Sequence, residues 1–405
     1  MKKDWFVLYT MSQNNATQIE RRPAMIIQMK PGLGLDHDNV QAVSKKALQW
    51  KVIPESEMIQ GTEYNIVSIR LYDGENKSNI IPEHVFEVMD GVAEVTRITP
   101  PEISLAHSDS NEAKVIDLTK EIKISHNLPT RLVIGPCTVD KNIDAIVENL
   151  AGLGVKMIRG GCWKPRSSPY SFPGHGEKAV HWLLEAAKKH NMECVWLEVM
   201  ESSHIEIIKT ACKTIGYTGR VVLWVGARTK SSILLRSLGA QKDFPVMLKH
   251  SLSDDGPEKF IADTQWVVNG PVKFDDDGQM IEKESNNAGN HDLMLCLRGT
   301  NGAVNPWRFR PNWDWTEYIK KNWWTPVVID PSHAAGTNKD DLVLTSVKTA
   351  LIHKPSVLLV EGGYSEKNEY RGLCDADQSL VIEKIPELIE MIKVHNKKHY
   401  GIETF

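Results

Sequence analysis

Eight short, continuously apolar segments alternate with helical patterns over residues 131–405, and this alternation constrains the fold more than any other feature. Strands that are apolar throughout and followed by helices are typical of a parallel sheet covered on both faces. Eight such units predict a closed (β/α)8 TIM barrel. An open doubly wound sheet would carry a glycine-rich phosphate turn after its first strand, and none is present there. The predicted strands are Leu132–Ile134, Val155–Ile158, Cys194–Leu197, Val221–Val225, Val246–Leu248, Leu293–Leu297, Pro326–Ile329 and Val357–Val360.

The predicted helices of this region have apolar residues at helical spacing and follow the strands. The clearest are Asn142–Leu150, Glu177–Lys189, Ser203–Thr214 and Lys339–Leu351. Residues 266–292 interrupt the alternation of strands and helices. Their sequence predicts an added β-hairpin with its turn at Asp276–Gly278.

The first hundred residues have a different pattern, in which strands outnumber helices. An order βαββαβ with one weakly marked strand predicts a ferredoxin-like α+β domain over residues 1–100. Residues 101–130 are rich in proline and serine at their start, and predict a linker that ends in a short strand pair. The marked elements are strands at Ala24–Lys30, Tyr64–Leu71 and Val92–Ile98, and helices at Asp38–Trp50 and Pro82–Val88.

The composition is that of an ordinary soluble globular protein, with 41% hydrophobic and 25% charged residues and a net charge of −4. This balance argues against nucleic acid or an anionic membrane as a partner. The apolar run near the N-terminus, about five residues long, is too short for a signal peptide or a membrane span. Six cysteines without a CxxC pair are typical of a reduced compartment, so we expect a cytoplasmic protein.

Polar side chains follow every predicted barrel strand. In a barrel these positions lie together on the rim at the C-terminal ends of the strands, where active sites occur. Any one of them alone would be read as a solvated charge or a buried cysteine, but their joint placement favours a site. They are Cys137, Arg159, Lys164, Arg166, Glu198, Arg228, Lys249, Arg298, His333 and Glu361.

The chemistry of this set indicates anion binding and a metal. The cations suit two phosphates and a carboxylate, and the hydroxyls of Ser167 and Ser168 would add donors to a phosphate. A thiolate, an imidazole and two carboxylates suit Mn, Fe, Co or Zn rather than Mg or Ca. These four candidate ligands are Cys137, His333, Glu361 and Asp375.

In eight motifs that keep their order, the chain resembles the class I 3-deoxy-D-arabino-heptulosonate 7-phosphate (DAHP) synthase family. The resemblance implies condensation of phosphoenolpyruvate with erythrose 4-phosphate, the first step of the shikimate pathway to the aromatic amino acids. The motifs are GPCTVD (135–140), RGGCWKPRSSPYSF (159–172), GAR (226–228), LK (248–249), LRG (297–299), DPSHAAG (330–336), VEGG (360–363) and DADQSL (375–380).

The resemblance also implies roles for single residues. Lys164, Glu198 and His333 would be catalytic, with Lys164 beside the carboxylate and reacting carbon of phosphoenolpyruvate and Glu198 orienting a water. Asp330 would belong to the substrate-binding set. Phosphoenolpyruvate would bind Arg159, Arg228, Lys249 and Arg298; the sugar phosphate would bind Lys164, Arg166, Ser167 and Ser168; one divalent metal would bind Cys137, His333, Glu361 and Asp375.

Two alternatives stay open at this point. Pro165 favours the four-carbon aldose phosphate, because a related synthase for arabinose 5-phosphate typically has Asn-Arg in place of Pro-Arg. The first alternative is therefore that related synthase, which acts on another aldose phosphate. The second alternative is a non-catalytic homologue that binds a phosphorylated metabolite, although a complete set of metal ligands argues against it. Gly363 stands where the family has a histidine. The resemblance further implies a homo-oligomer, a tetramer or a dimer, and an N-terminal domain that can bind an aromatic amino acid effector.

Overall fold

The computed structural model describes residues 23–74, 81–98, 113–166, 168–270, 273, 276, 289–336, 340–365, 373 and 379–405. The chain divides into two compact units, residues 1–101 and 102–405. Among the described residues, no helix is both long enough and apolar enough to span a bilayer.

The N-terminal unit is a four-stranded antiparallel sheet in the order β2-β3-β1-β4, which is the ferredoxin-like arrangement predicted. Its long helix begins after His37, whose ring accepts a hydrogen bond from the backbone N–H of Asn39. The weakly marked strand is the edge strand β2, whose side chains are mostly exposed. The elements are β1 (Met25–Met29), helix Asp38–Gln49, β2 (Ile53–Ile59), β3 (Ile66–Tyr72), helix His84–Glu87 and β4 (Val92–Arg97).

The second unit is a closed barrel of eight parallel strands whose sequence neighbours are also neighbours in space. This confirms the predicted (β/α)8 fold. The strands are β7 (Arg131–Gly135), β8 (Met157–Gly160), β9 (Cys194–Val199), β10 (Arg220–Val225), β11 (Val246–Lys249), β12 (Leu293–Leu297), β13 (Val327–Ile329) and β14 (Val357–Glu361).

Helices surround the barrel, and side chains alternate along each strand between its interior and the helix layer. On β10, Val222 and Trp224 pack inside the barrel, whereas Leu223 packs among the residues that face the helices. The helices are Ile143–Gly152, Glu177–Lys189, Ser203–Ile215, Ser232–Ala240, Pro257–Asp263, Gln265–Val268, Trp315–Asn322, Pro331–Ala335, Asp340–Ile352 and Ile385–Tyr400, with a 3₁₀ turn at Ile382–Lys384.

A short hairpin closes the N-terminal end of the barrel. Its strands, β5 (Ile116–Asp117) and β6 (Lys123–Ile124), carry Ile116 and Ile124 into the interior cluster that includes Trp196. The hydroxyl of Thr119 in its turn lies 3.3 Å from Oε2 of Glu193, the residue before β9. The predicted strand pair is therefore part of the barrel unit, and the active-site end of the barrel is the other one.

The predicted hairpin over residues 266–292 is wrong at its start. Gln265–Val268 form a helical turn, because Val267 and Val268 are adjacent and both buried, which an exposed strand cannot achieve. The carbonyls of Val267 and Val268 accept hydrogen bonds from the backbone N–H groups of Asn290 and Gly289, respectively. The two ends of the segment therefore lie next to each other. Most of its remainder, including Gly278 of the expected turn, lies outside the described residues.

Candidate active site

A cavity of about 110 Å³ opens at the C-terminal ends of the barrel strands. Eight of the ten side chains predicted from strand ends line this cavity. Its polar and aromatic lining includes Arg159, Lys164, Glu198, Trp224, Arg228, Lys249, Arg298, Arg308, Phe309, His333 and Glu361.

Arg159 and Glu361 form a buried ion pair at the bottom of this cavity. Nη1 of Arg159 lies 2.9 Å from Oε1 of Glu361, and both side chains are almost fully buried. The guanidinium also lies 4.9 Å from the ring centroid of Trp224. Burial disfavours the charged form of Arg159, but Glu361 and Cys137 outweigh it and raise the arginine pKa. Arg159 is therefore a fixed cation.

The second oxygen of Glu361, Oε2, is buried and has no hydrogen-bond partner in the described part of the protein. Burial raises the pKa of this carboxyl group, and Cys137 raises it further. A buried carboxylate oxygen without a donor is costly, so this atom is available to a ligand.

Asp330 links two functional side chains. Its Oδ2 lies 2.5 Å from Nζ of Lys249 and 2.7 Å from Nδ1 of His333. Burial would raise the pKa of Asp330, but His333 and Lys249 hold it well below its usual range. Oδ1 accepts the backbone N–H of His333 and so caps the helix Pro331–Ala335. Burial lowers the pKa of His333, which favours the neutral imidazole.

Lys164 reaches back to the end of β7. Its Nζ lies 3.0 Å from the carbonyl oxygen of Cys137 and 3.1 Å from the Sγ of the same residue. Burial would lower the lysine pKa, but Cys137 and Glu198 raise it above its ordinary value. Lys164 is thus protonated at neutral pH, as a cation or proton donor rather than a base.

The glycine of the GAR motif makes room for Glu198. A Cβ at Gly226 would lie 2.2 Å from Oε1 of Glu198, so no other residue fits without displacing the carboxylate. Arg228, two residues on, is exposed at the mouth of the cavity. Arg298 is buried, and its guanidinium lies 4.5 Å from the ring centroid of Phe309. Burial lowers the pKa of Arg298, the negative charge of Asp330 opposes this shift, and Arg308 and Arg228 lower the pKa further.

Among the described residues, four other predicted site residues are not part of the cavity lining: Cys137, Arg166, Ser168 and Asp330. Arg166 and Ser168 are half-buried, and Oγ of Ser168 accepts the backbone N–H of Tyr170. Ser167 and Asp375 lie outside the described residues. His333 Nε2 lies 3.9 Å from Oε1 of Glu361, yet no three ligand-type side chains of the described ranges cluster closely enough to hold a metal.

Four lining residues were missed from the sequence: Trp224, Leu252, Arg308 and Phe309. Trp224 could have been found, because side chains two apart on a barrel strand share its interior face. Arg308 and Phe309 could not, because they lie in an irregular segment after β12 and belong to none of the recognised motifs.

A closed parallel barrel whose strand ends hold five convergent cations beside buried carboxylates defines a (β/α)8-barrel enzyme for anionic substrates. Residues 103–399 match the DAHP synthetase I family, and the chain belongs to that family. It is an enzyme of this family, and its relatives match along nearly their whole length.

One relative is the phospho-2-dehydro-3-deoxyheptonate aldolase of Thermotoga maritima, 28% identical over 372 residues that span 91% of this chain and 97% of the relative. The crystal structure of phospho-2-dehydro-3-deoxyheptonate aldolase (DAHP synthase) from Thermotoga maritima superposes with a TM-score of 0.70 at 26% identity, covering 94% of this chain and 99% of that one. A truncated form of 3-deoxy-D-arabino-heptulosonate 7-phosphate synthase from the same organism gives a TM-score of 0.58 at 26% identity, covering 75% and 99%.

Proposed function

We propose that this enzyme condenses phosphoenolpyruvate with erythrose 4-phosphate to give 3-deoxy-D-arabino-heptulosonate 7-phosphate and inorganic phosphate. The observation that carries the proposal is the convergence of cations in one rim cavity of a family member. They are Arg159, Lys164, Arg228, Lys249 and Arg298. Two phosphorylated substrates repel each other, and fixed cations offset this repulsion and order them for reaction.

In this proposal the enol carbon of phosphoenolpyruvate attacks the aldehyde carbon of the sugar phosphate, water adds to the cationic carbon that results, and phosphate leaves. Lys164 is held protonated beside Cys137 and can deliver a proton to the new alkoxide. Glu198 lines the same cavity and can orient the attacking water.

We further propose that Cys137, His333 and Glu361, together with Asp375, bind one divalent metal from the set Mn, Fe, Co and Zn. The unpartnered Oε2 of Glu361 and the neutral imidazole of His333 are donors that suit such an ion. When bound, the metal supplies Lewis-acid polarisation of the aldehyde oxygen.

The metal assignment is tested on Cys137→Ala, with Cys212→Ala as the matched control because Cys212 lies in a helix away from the cavity. We expect Cys137→Ala to lose bound metal, measured by elemental analysis of the dialysed protein, and to lose metal-dependent turnover while its melting temperature is kept. A Cys137→Ala protein that retains a full equivalent of metal would remove Cys137 from the ligand set.

The reaction is tested by phosphate release from phosphoenolpyruvate in the presence of a panel of aldose phosphates and each of the four metals. We expect the highest kcat/KM with erythrose 4-phosphate. A preference for arabinose 5-phosphate would favour the related synthase, and no turnover with any sugar in any metal would favour the non-catalytic homologue.

The N-terminal unit is proposed to bind an aromatic amino acid and the chain to form a homo-oligomer. Support for the first is the ferredoxin-like sheet of residues 25–97. Titration of the intact enzyme with tyrosine and phenylalanine is expected to inhibit turnover, and sedimentation of the same sample gives the subunit count. Unchanged turnover with both amino acids would remove the regulatory proposal.

A further inference from the structure

The segment that follows β12 is a closed loop, residues 299–312, which we call the rim loop. Thr300 and Arg310 pair their backbones in both directions, with N···O distances of 2.8 and 2.9 Å. The backbone N–H of Gly299 donates to Oδ1 of Asn312 at 3.0 Å. The two ends of the loop are therefore fixed to each other beside the cavity.

The rim loop is also fixed to the helix that carries His333. The backbone N–H groups of Arg308 and Phe309 both donate to the carbonyl oxygen of Ala334, at 3.0 and 3.2 Å. A Cβ at Gly336 would lie 2.8 Å from Cβ of Arg308, and one at Gly299 would lie 2.8 Å from Cβ of Phe309. The glycines of the LRG and DPSHAAG motifs thus leave the space in which these two residues sit.

Three guanidinium groups line the cavity, and two of them lie beside Phe309. Arg298 lies 4.5 Å and Arg308 5.3 Å from the centroid of the Phe309 ring, and Arg228 lines the same cavity. Arg308 has no carboxylate partner among the described residues, whereas Arg159 and Lys249 each have one. Guanidinium groups held close together repel each other, and an anion that binds among them reduces this repulsion.

We propose that Arg308 binds the phosphate group of phosphoenolpyruvate, as a third guanidinium beside Arg228 and Arg298; this rests on the function proposed above. A phosphate carries more negative charge than a carboxylate and presents three oxygens, so it suits several arginine forks. Arg159 and Lys249 are already paired with carboxylates and provide less net charge. Arg308 lies outside every motif of the family resemblance, and its assignment comes from the fold of the rim loop.

The test measures binding directly, by calorimetric titration of the full-length enzyme with phosphoenolpyruvate and separately with inorganic phosphate. Arg308→Ala is expected to weaken both about tenfold, the loss of one charge-assisted contact at a partly solvated site. Arg308→Lys should recover part of the loss, because it restores the charge without the fork. Arg310→Ala is the matched control, since Arg310 lies two residues away but lines a neighbouring cavity with Asp254 and Asp314.

In turnover, Arg308→Ala should raise the KM for phosphoenolpyruvate and leave the KM for the sugar phosphate unchanged. Unchanged affinity for both probes in Arg308→Ala overturns the proposal, as does an equal loss in Arg310→Ala. A rise confined to the KM of the sugar phosphate also overturns it, because Arg308 would then serve the other phosphate. Since calorimetry needs no turnover, an enzyme that fails with every sugar still tests this assignment separately.

Discussion

The charged residues of the cavity fall into two groups with different energetic roles. Arg159 and Lys249 are buried and each is paired with a buried carboxylate, Glu361 or Asp330. Breaking such a pair leaves a buried charge without compensation, which costs far more than the pair itself contributes. Arg228 and Arg308 are instead exposed to solvent. We therefore expect variants of the paired cations to affect stability as well as activity.

Asp330→Asn is expected to lower the free energy of unfolding by about 3 kcal/mol at pH 7, because Lys249 loses its buried counter-charge while the shape of the side chain is kept. Urea unfolding at a series of pH values measures this. Since the folded-state pKa of Asp330 is depressed, its stabilisation is complete above about pH 4, the ordinary carboxylate value, and is lost as the pH falls through the folded pKa.

The difference between wild type and Asp330→Asn should accordingly shrink below pH 4. Asp341→Asn provides the contrast, because Asp341 is 90% exposed in its ion pair with Lys384 and solvent-exposed ion pairs contribute little to stability. Equal effects of the two variants would show that the buried position of Asp330 is not what matters.

At the scale of elements, what the sequence predicted depended on periodicity. Helix Glu177–Lys189 has the predicted bounds, because its apolar residues recur at helical spacing and the glycine before it marks its start. β2 was weakly marked because an edge strand buries few side chains and lacks a two-residue alternation. The sequence of the rim loop has no apolar periodicity. The positions of Arg308 and Phe309 therefore follow only from the tertiary hydrogen bonds that their backbones donate to Ala334.

The position of the rim loop depends on the absence of a side chain at Gly336. Gly336→Ala introduces a Cβ at a positive φ of 85° and 2.8 Å from Cβ of Arg308. Gly302→Ala has a similar φ of 81° but open space around it. Both should lower the free energy of unfolding by about 1 kcal/mol through backbone strain. Only Gly336→Ala should also raise the KM for phosphoenolpyruvate, as measured by initial rates; equal KM values in the two variants would mean that the loop tolerates displacement.

At the scale of the whole barrel unit, the apolar closure of the barrel and its charged cavity lie at opposite ends. The hairpin of β5 and β6 closes the N-terminal end with apolar side chains, and the charged cavity occupies the C-terminal end. This separation explains why strand-end positions could be assigned to the site from the sequence alone. Because the strands are parallel, the last residue of each strand lies at the C-terminal end of the barrel, and this does not depend on the conformation of the loops. The loops themselves follow tertiary contacts and could not be read in the same way.

Two buried histidines, one towards each end of the barrel, contribute to the pH dependence of stability. His126 is buried at the hairpin end with Nε2 bonded to the carbonyl of Thr325. His250, next to Lys249, is fully buried between Phe260 and Trp315. Burial lowers the pKa of each to about 4, from the ordinary value of about 6.5.

The sign follows from the direction of these shifts. Above about pH 6.5 both histidines are neutral in either state, and their burial has no electrostatic cost. As the pH falls from 6.5 towards 4, these histidines become protonated in the unfolded state but stay neutral in the folded state. The free energy of unfolding therefore decreases by up to about 1.4 kcal/mol per pH unit for each histidine. Urea unfolding between pH 6.5 and 5 should show this dependence, and His126→Gln, which keeps a donor for Thr325, should reduce the slope without removing it, because burial also lowers the pKa of His250, His333 and His395. A double variant His126→Gln/His250→Phe with the wild-type slope would assign the acid sensitivity to other groups.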